Sequence, residues 1–348
     1  MKLMYHIPTP VIGGAETQLA CLVKYLRPYG HDILVAFSDM RTSPFANVMD
    51  VATVQAKTAE DLTDVIDRFA PDVLQFFHSP VMYTALSRIA CRPKVAEVIH
   101  SRHAFGGDAS TYPKDRSNVA VCVSPDAEAW FREKVCRRTP TVVIPNGIDR
   151  ERFIPRQPRP MRRVPLGGFA GRLDGKEKAI LELIEVVAQL PIRFQLVGRG
   201  ADKWRAVCAD LPNIELIDHT DDVVAYYHSW DFFVSRCPCE GFGMAIGEAL
   251  MCGLPSVIYE CGGICRYIEN GHHALLVDSD AAMAAAIRKV IGGLPLHPLD
   301  FSLDAERMAS EYDALYRAMT TSGGFGKREA VRPAAVAAPF RSDPLLTG

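Results

Sequence analysis

Short apolar runs alternate along this chain with longer segments in which apolar positions recur every three or four residues. Such runs predict buried strands, and the longer periodic segments predict amphipathic helices. The predicted strands of the first half are residues 2–7, 32–37, 72–77, 95–100, 117–124 and 141–144. Those of the second half are residues 166–170, 194–197, 213–217, 231–234, an apolar run after Pro255, and 274–277. Strands that alternate with helices form parallel sheets, so the pattern predicts an α/β fold.

The predicted helices lie between these strands and complete two Rossmann-like domains. They are residues 17–29, 59–69, 82–90, 126–134, 179–190, 221–227, 244–252, 281–291 and 304–319. A chain of 348 residues is too long for one ordinary core. We therefore predict a first domain at 1–148, a linker at 149–165 that is rich in proline and solvated arginine, and a second domain at 166–303. The tail at 320–348 has no packing pattern and is expected to be disordered.

Composition narrows the functional classes. The formal net charge of −2 argues against a protein built mainly to hold nucleic acid. No apolar run approaches the roughly 20 residues that span a bilayer, and the N-terminus enters a strand at once, so a cytoplasmic location is expected. Ten cysteines without a secretory signal predict free thiols. A zinc site at Cys237, Cys239, Cys261 and Cys265 is an alternative that their spacing fits poorly.

The segment 234–264 carries the most chemistry. Its strand ends in a turn that contains Glu240, Gly241 and Gly243, and the helix that follows contains Glu248. Glycines let the backbone approach a ligand, and a helix N-terminus favours an anion. Carboxylates on either side would accept hydrogen bonds from hydroxyls, so a nucleotide sugar would use both features. In the alternative interpretation, Glu240 only caps the helix and Glu248 is a solvated helix residue.

Two loops of the first domain follow strand ends, where ligands bind in parallel sheets. Gly14 belongs to a glycine pair between the first strand and the first helix, and a plain strand-to-helix connection is the alternative. His100 ends the strand at 95–100, and His103 competes with it as the functional histidine.

A basic stretch at 132–138 is a candidate for contact with anionic membrane lipid, although a solvated helix face is the commoner case.

Cations follow the first strand of the second domain. Arg172 follows that strand after Gly171, and Lys176 and Lys178 lie in the same loop. An arginine fork and a lysine point charge suit a diphosphate. From the residues alone, either lysine could supply this charge. The D-x-D pattern at 278–280 could hold a divalent metal, but both aspartates precede a helix, where acidic caps are common.

These features, in the order in which they occur along the chain, resemble those of the retaining glycosyltransferases of family 4, which have the GT-B architecture. The resemblance covers roughly residues 1–319 and includes the family's E-x7-E signature at Glu240 and Glu248. Its other motifs are Gly13-Gly14-Ala15-Glu16, the strand that ends in His100, the serine-ended strand at 121–124, Val143 to Asp149 leading to Phe153, Gly171-Arg172-Leu173 with the downstream lysine, Gly198-x-Gly200, Gly241-Phe242-Gly243, Cys252 to Pro255, and Gly262-Gly263-Ile264. The resemblance implies two Rossmann-like domains that face each other across a cleft, with the last helix returning to the first domain.

The resemblance also implies residue roles. It assigns catalytic roles to His100, Arg172, Lys178 and Glu240, and donor binding to Gly14, Gly198, Gly241, Phe242, Gly243 and Glu248. Glu240 and the following amides would hold the sugar, Glu248 the ribose, and the two cations the diphosphate. Gly14 would lie against the donor phosphate and the acceptor, and His100 would face the reacting sugar. The family has one residue fewer between the arginine and the lysine, so Lys176 is an alternative to Lys178, which we prefer because the helix after it keeps its register. The chain departs from the family at Cys265-Arg266, in place of proline and glutamate, and at His273-Ala274, in place of asparagine and glycine. These departures bear on donor and acceptor preference more than on the reaction.

The expected activity is transfer of a hexose or hexosamine from a UDP- or GDP-sugar to an acceptor hydroxyl, with retention, in glycan, glycolipid or glycosylated-metabolite synthesis. No enzymic nucleophile, cofactor or metal is expected, and the partners are the nucleotide sugar and a saccharide, lipid-linked or small-molecule acceptor. Two alternatives remain open. One is a phosphorylase or epimerase on the same fold, and the other is a degenerate nucleotide-sugar-binding partner of another transferase.

Overall fold

A computed structural model describes residues 1–8, 13–39, 50–77, 79–100, 116–157, 160–175, 178–299 and 303–321. The chain divides into two compact units. The first contains Met1–Gly147 and the last described range, 303–321, and the second contains Ile148–Ser302. The predicted tail lies outside the described residues, apart from its first two. Among the helices of the described ranges, none combines the length and apolarity needed to cross a membrane.

The first unit is built on a seven-stranded parallel sheet in the order β3-β2-β1-β4-β5-β6-β7. Its strands are β1 (Lys2–Ile7), β2 (Asp32–Phe37), β3 (Ala52–Gln55), β4 (Val73–Phe77), β5 (Lys94–Ile99), β6 (Val119–Cys122) and β7 (Thr141–Val143). Its helices are α1 (Gly14–Leu26), α2 (Ala59–Phe69), α3 (Pro80–Leu86), α4 (Pro125–Trp130) and α10 (Ala305–Thr320), with a 3₁₀ turn at Arg27–Tyr29 and a π turn at Phe131–Val135.

The sequence pattern found six of these seven strands and missed β3. This strand pairs only with β2, at the sheet edge, and its side chains are half-buried or exposed. A four-residue edge strand therefore lacks the buried apolar run on which the prediction depends. The helix predicted at 126–134 is also different, because regular α-helix ends at Trp130 and one π turn follows.

The last helix, α10, returns to the first unit and packs on α1. The asparagine-glycine motif after β7 is shaped by this contact. A Cβ on Gly147 would lie 2.4 Å from the Cα of Ala305, so only glycine fits. Arg307 of α10 donates to the carbonyl of Pro145 at 2.8 Å, and the hydroxyl of Tyr316 donates to Gln75 at 2.7 Å. The helix is thus held along the unit by both packing and buried polar contacts.

The second unit is built on a six-stranded parallel sheet in the order β10-β9-β8-β11-β12-β13. Its strands are β8 (Leu166–Ala170), β9 (Arg193–Val197), β10 (Ile214–Ile217), β11 (Phe232–Ser235), β12 (Ser256–Tyr259) and β13 (Leu275–Val277). Its helices are α5 (Ile180–Ala188), α6 (Arg205–Cys208), α7 (Val223–Ser229), α8 (Met244–Met251) and α9 (Asp280–Ile291), with 3₁₀ turns at Ala201–Trp204 and Gly263–Tyr267. All six predicted strands are present.

Two arginines of the predicted linker are bound to the second unit. Arg162 pairs with the carboxylate of Asp231 at 2.8 Å, and the backbone N–H of Leu166 donates to the other oxygen of the same carboxylate at 2.8 Å. Arg156 donates to the carbonyl of Trp230 at 2.8 Å. The prediction that these arginines are solvated charge was therefore wrong for Arg156 and Arg162. The buried carboxylate of Asp231 and the carbonyl groups of Trp230 and Asp231, just before β11, accept hydrogen bonds from them.

Candidate active site

The loops that carry the predicted residues of the second unit meet at a reversal in its sheet. From β8 the chain moves outward through β9 to β10, and from β11 it moves outward in the other direction through β12 to β13. Ligands of open parallel sheets bind beyond the carboxyl ends of the strands at such a switch point. Arg172 and Lys178 follow β8, and Glu240 follows β11, so the three residues stand on either side of it.

Lys178 and Glu240 form an ion pair between the loops after β8 and β11. The Nζ of Lys178 donates to Oε1 of Glu240, and the two side chains are 16% and 18% exposed. Both were predicted as site residues, with separate ligands assigned to them. The structure brings them into direct contact. The alternative lysine, Lys176, lies outside the described residues.

The turn after Glu240 begins α8 with a glycine. Gly243 has φ of +99°, a left-handed conformation that favours glycine, and none of the described side chains caps this helix. The interpretation that Glu240 caps α8 is therefore wrong, because its carboxylate is paired with Lys178. A second glycine, Gly263, lies against the turn, since its Cβ would be 2.7 Å from the carbonyl oxygen of Phe242 and 2.9 Å from that of Gly241.

Glu248 lies on α8 and is only 9% exposed. The hydroxyl of Tyr227 donates to its Oε2 at 2.9 Å. Burial raises the pKa of Glu248, while the hydrogen bond from Tyr227 and the positive charge of Arg152 act in the opposite direction. The alternative in which Glu248 is a solvated helix residue is therefore also wrong. A buried carboxylate that is held by a buried phenol is preorganised to accept a further hydrogen bond.

The loops after β8 and β9 pack tightly against each other. Gly198 has φ of +148°, and a Cβ there would lie 1.8 Å from the carbonyl oxygen of Gly171. Asp174 stands between two arginines, 4.0 Å from Nη1 of Arg172 and 3.7 Å from Nε of Arg199. The side chain of Arg172 is 44% exposed, so its guanidinium is accessible to a ligand. Gly198 thus acts by allowing the close approach of the loop that carries Arg172.

The two predicted residues of the first unit lie at the carboxyl edge of its sheet. Gly14 is the first residue of α1, whose N-cap is the extended Gly13. His100 directly follows β5, and its ring lies 4.6 Å from that of Phe77. Burial lowers the pKa of His100 from 6.5 to about 3, so the imidazole is neutral at physiological pH. Its Nε2 is buried and has no hydrogen-bond partner in the described part of the chain. His103 lies outside that part.

Two residues of the D-x-D segment at 278–280 make structural contacts. The carboxylate of Asp280 pairs with Nε of Arg236 at 2.5 Å, and the hydroxyl of Ser279 caps α9 by accepting from the N–H of Ala282. Arg236 also lies 4.1 Å above the ring of Tyr259. Within the described ranges, no three histidine, cysteine, aspartate or glutamate side chains are grouped so as to hold a metal ion.

Sequence reasoning missed the groups that surround Glu248. Tyr227 precedes Glu248 by 21 residues on a different helix, α7. The charge of Arg152 comes from the segment that was predicted to be a linker. No spacing rule connects residues on separate elements, so these partners could be found only from the folded chain.

Comparisons with known proteins agree with this architecture. Residues 12–152 match the model described as Glycosyltransferase Family 4, and residues 165–292 match the model described as Glycosyl transferases group 1. The GDP-mannose-dependent alpha-mannosyltransferase of Mycobacterium tuberculosis is 25% identical over 299 residues, which are 73% of this chain and 77% of that protein.

Solved structures show the same fold. A glycosyltransferase from Rickettsia africae superposes with a TM-score of 0.75 at 17% identity, covering 92% of this chain and 99% of that one. HepE from Anabaena in complex with UDP-glucose superposes with a TM-score of 0.72 at 16% identity, covering 91% of this chain and 99% of that one. The fold predicted from the sequence, GT-B with two Rossmann-like domains, is confirmed by these likenesses.

Proposed function

Since the chain belongs to glycosyltransferase family 4, we propose that it transfers a hexose or hexosamine from a UDP- or GDP-sugar to an acceptor hydroxyl, with retention of the anomeric configuration. The observation that carries this proposal is the Lys178–Glu240 ion pair at the switch point of the second sheet. A cation and a carboxylate side by side complement a donor in which a charged diphosphate is joined directly to a hydroxyl-rich sugar.

The donor roles follow from the charges. Glu240 accepts from sugar hydroxyls and Glu248 from the ribose, while Arg172 and Lys178 contact the diphosphate. An ammonium group has three N–H donors, so a lysine can contact a carboxylate and a phosphate oxygen at the same time. The named relative depends on GDP-mannose, and HepE was solved with UDP-glucose, so donors of this class occur among similar proteins.

The proposed reaction breaks the bond between the anomeric carbon and the diphosphate oxygen. The acceptor oxygen forms its bond to the anomeric carbon on the same face, and its proton passes to the departing phosphate oxygen. Arg172 and Lys178 offset the negative charge that develops on the leaving group. We retain the roles that the family implies for two further residues. Gly14 contacts the donor phosphate and the acceptor, and the neutral His100 faces the reacting sugar.

Thermal stabilisation by a panel of UDP-, GDP- and ADP-sugars and the free nucleotides tests donor binding. Ligand at 100 times its dissociation constant adds about 2.7 kcal/mol of stability. One nucleotide sugar is expected to give a clear shift, and Glu248→Ala should lose it. If no member of the panel shifts the transition, the donor assignment is wrong.

Turnover with the donor so identified tests the catalytic assignment. Glu240→Ala and Arg172→Ala should each lower turnover at least ten-fold, because a lost hydrogen bond to a charged group costs about 1.5 to 3 kcal/mol. Glu185→Ala, on the exposed face of α5, is the matched control and should keep wild-type turnover. Wild-type turnover in Glu240→Ala would exclude its proposed role. Product analysis with and without acceptor distinguishes transfer from phosphorolysis or epimerisation, and it reports the anomeric configuration.

We also propose that turnover needs no metal ion. The aspartate of the D-x-D segment nearest α9, Asp280, is already engaged by Arg236. Cationic side chains are assigned to the diphosphate instead. Turnover in EDTA should therefore equal that in added Mg²⁺ or Mn²⁺, and a metal-dependent rate would contradict this assignment.

A further inference from the structure

Two thiols meet in the turn that follows β12. Gly262 and Gly263 have φ of +75° and +57°, and these left-handed conformations bend the chain back on itself. The N–H of Cys265 donates to the carbonyl of Gly262 at 3.1 Å, which closes the turn. As a result, the Sγ atoms of Cys261 and Cys265 lie 3.7 Å apart.

The two thiols differ in acidity. The two sulfurs are within hydrogen-bonding distance, and either thiol can be the donor. Their interaction lowers the pKa of Cys265 and raises that of Cys261. Cys265 is therefore the sulfur that reaches the thiolate state more easily, and the thiolate is the nucleophile in thiol oxidation. Both residues are buried, with 7% exposure each, so the oxidant that the proposal needs is a small one.

This turn lies directly against the residues assigned to the donor sugar. The N–H of Glu240 donates to the carbonyl of Cys261 at 3.3 Å, and the N–H of Ile264 donates to the carbonyl of Phe242 at 2.7 Å. Gly263 between them has no room for a Cβ against Phe242. A change in the spacing of Cys261 and Cys265 therefore acts on the backbone that positions Glu240.

We propose that Cys261 and Cys265 are a redox modification site, where a peroxide converts the thiol pair into a disulfide and thereby weakens nucleotide-sugar binding at the adjacent turn. The effect on nucleotide-sugar binding rests on the proposed function. A disulfide has an S–S distance of about 2.05 Å, so the two sulfurs must approach by about 1.6 Å.

The chemistry balances with one peroxide molecule. The Cys265 thiolate attacks a peroxide oxygen, an S–O bond forms, the O–O bond breaks, and the released hydroxide takes a proton to become water. The Cys261 sulfur then attacks the sulfur of the resulting sulfenic acid, the S–S bond forms, and the S–O bond breaks with loss of a second water. Two thiols are oxidised, and one hydrogen peroxide is reduced to two waters.

Peptide mass spectrometry tests the modification without reference to activity. The full-length protein is treated with hydrogen peroxide, alkylated and digested with chymotrypsin. Cleavage after Tyr259 and Tyr267 releases residues 260–267, which contain Cys261 and Cys265 but no other cysteine. We expect this peptide to be unalkylated and two hydrogen atoms lighter than its reduced form. Recovery of the doubly alkylated peptide after oxidation would overturn the proposal.

Donor binding is measured on the same samples with the nucleotide sugar that stabilises the reduced protein. Oxidation should weaken binding about ten-fold, the factor given by one lost hydrogen bond to a charged group, and dithiothreitol should restore it. Cys265→Ser should bind equally well before and after peroxide, while the matched control Cys208→Ser should respond like the wild type. If the disulfide forms and donor affinity is unchanged, the proposed effect on nucleotide-sugar binding is wrong. If the reduced protein binds no nucleotide sugar, the proposed function fails, and the peptide mass still decides whether the disulfide forms.

Discussion

The hydroxyl of Tyr227 is the contact whose removal gives the sharpest test of the site. It is buried, donates to Glu248 at 2.9 Å, and lies on a ring that packs edge-to-face on Trp230 at 5.5 Å. Tyr227→Phe keeps the ring and removes only the hydroxyl. The buried carboxylate of Glu248 then loses one of the two groups that oppose the rise of its pKa, the other being Arg152.

The expected loss of stability depends on pH. A hydrogen bond to a charged group contributes about 1.5 to 3 kcal/mol, and one to a neutral group about 1 kcal/mol. Because burial raises the folded-state pKa of Glu248 above its ordinary value of 4.5, the folded state binds more protons than the unfolded state just above that pH. Stability is therefore lost as pH rises through this range. Tyr227→Phe raises the folded pKa further, so its destabilisation should grow as pH rises above 4.5.

Thermal unfolding at pH 5 and pH 8 is the assay. At about 2 to 4 °C per kcal/mol for a unit of this size, Tyr227→Phe should lower Tm by roughly 3 to 12 °C at the higher pH and by less at the lower one. Tyr226→Phe, on the same helix, is the control and should give a small shift that does not vary with pH. Free nucleotide should also bind less tightly, because Glu248 is assigned to the ribose. An equal Tm loss at both pH values, or one no larger than that of Tyr226→Phe, would refute the assignment.

Two further substitutions test the packing that positions the loops. Gly198→Ala should prevent folding of the second unit or lower its Tm severely, since the new Cβ would lie 1.8 Å from the carbonyl oxygen of Gly171. The control Gly271→Ala, also at positive φ but with nothing within 4 Å, should cost only about 1 kcal/mol. Similar Tm values for the two variants would contradict this explanation. Asp231→Asn should cost about 3 kcal/mol in urea unfolding because Arg162 and a backbone N–H both donate to the carboxylate, and a loss below about 1 kcal/mol would show that the pair is unimportant.

The sequence predicted much of the fold because most strands here are buried on both faces. Such strands are continuous apolar runs, as in β4 and β6, every residue of which is buried. The exposed edge strand β3 has no such run and was missed. The 3₁₀ turns at Ala201–Trp204 and Gly263–Tyr267 were missed for a related reason, since they are too short to show a helical period.

The candidate site was also predicted only in part. The identities and spacing of Glu240 and Glu248 are visible along the chain, because one turn and one helix carry both. The contacts that these two glutamates make are not visible, because Lys178, although predicted as a site residue, comes from the loop after β8, and Tyr227 comes from α7. Sequence reasoning thus identified both acidic residues, but it left open the alternative in which Glu240 caps the helix and Glu248 is exposed to solvent. Long-range contacts decide between these interpretations, and only the fold supplies them.

The two departures from the family pattern have different structural consequences. The ring of His273 accepts a hydrogen bond from the N–H of Glu269 through Nδ1 at 3.0 Å, so it closes a local turn before β13. Cys265 instead belongs to the turn whose backbone contacts Glu240 and Phe242. A proline at this position has no N–H and could not donate to the carbonyl of Gly262, as Cys265 does. Of the two departures, the one at Cys265 therefore bears directly on the candidate site, and it is the one that a change in redox state would reach.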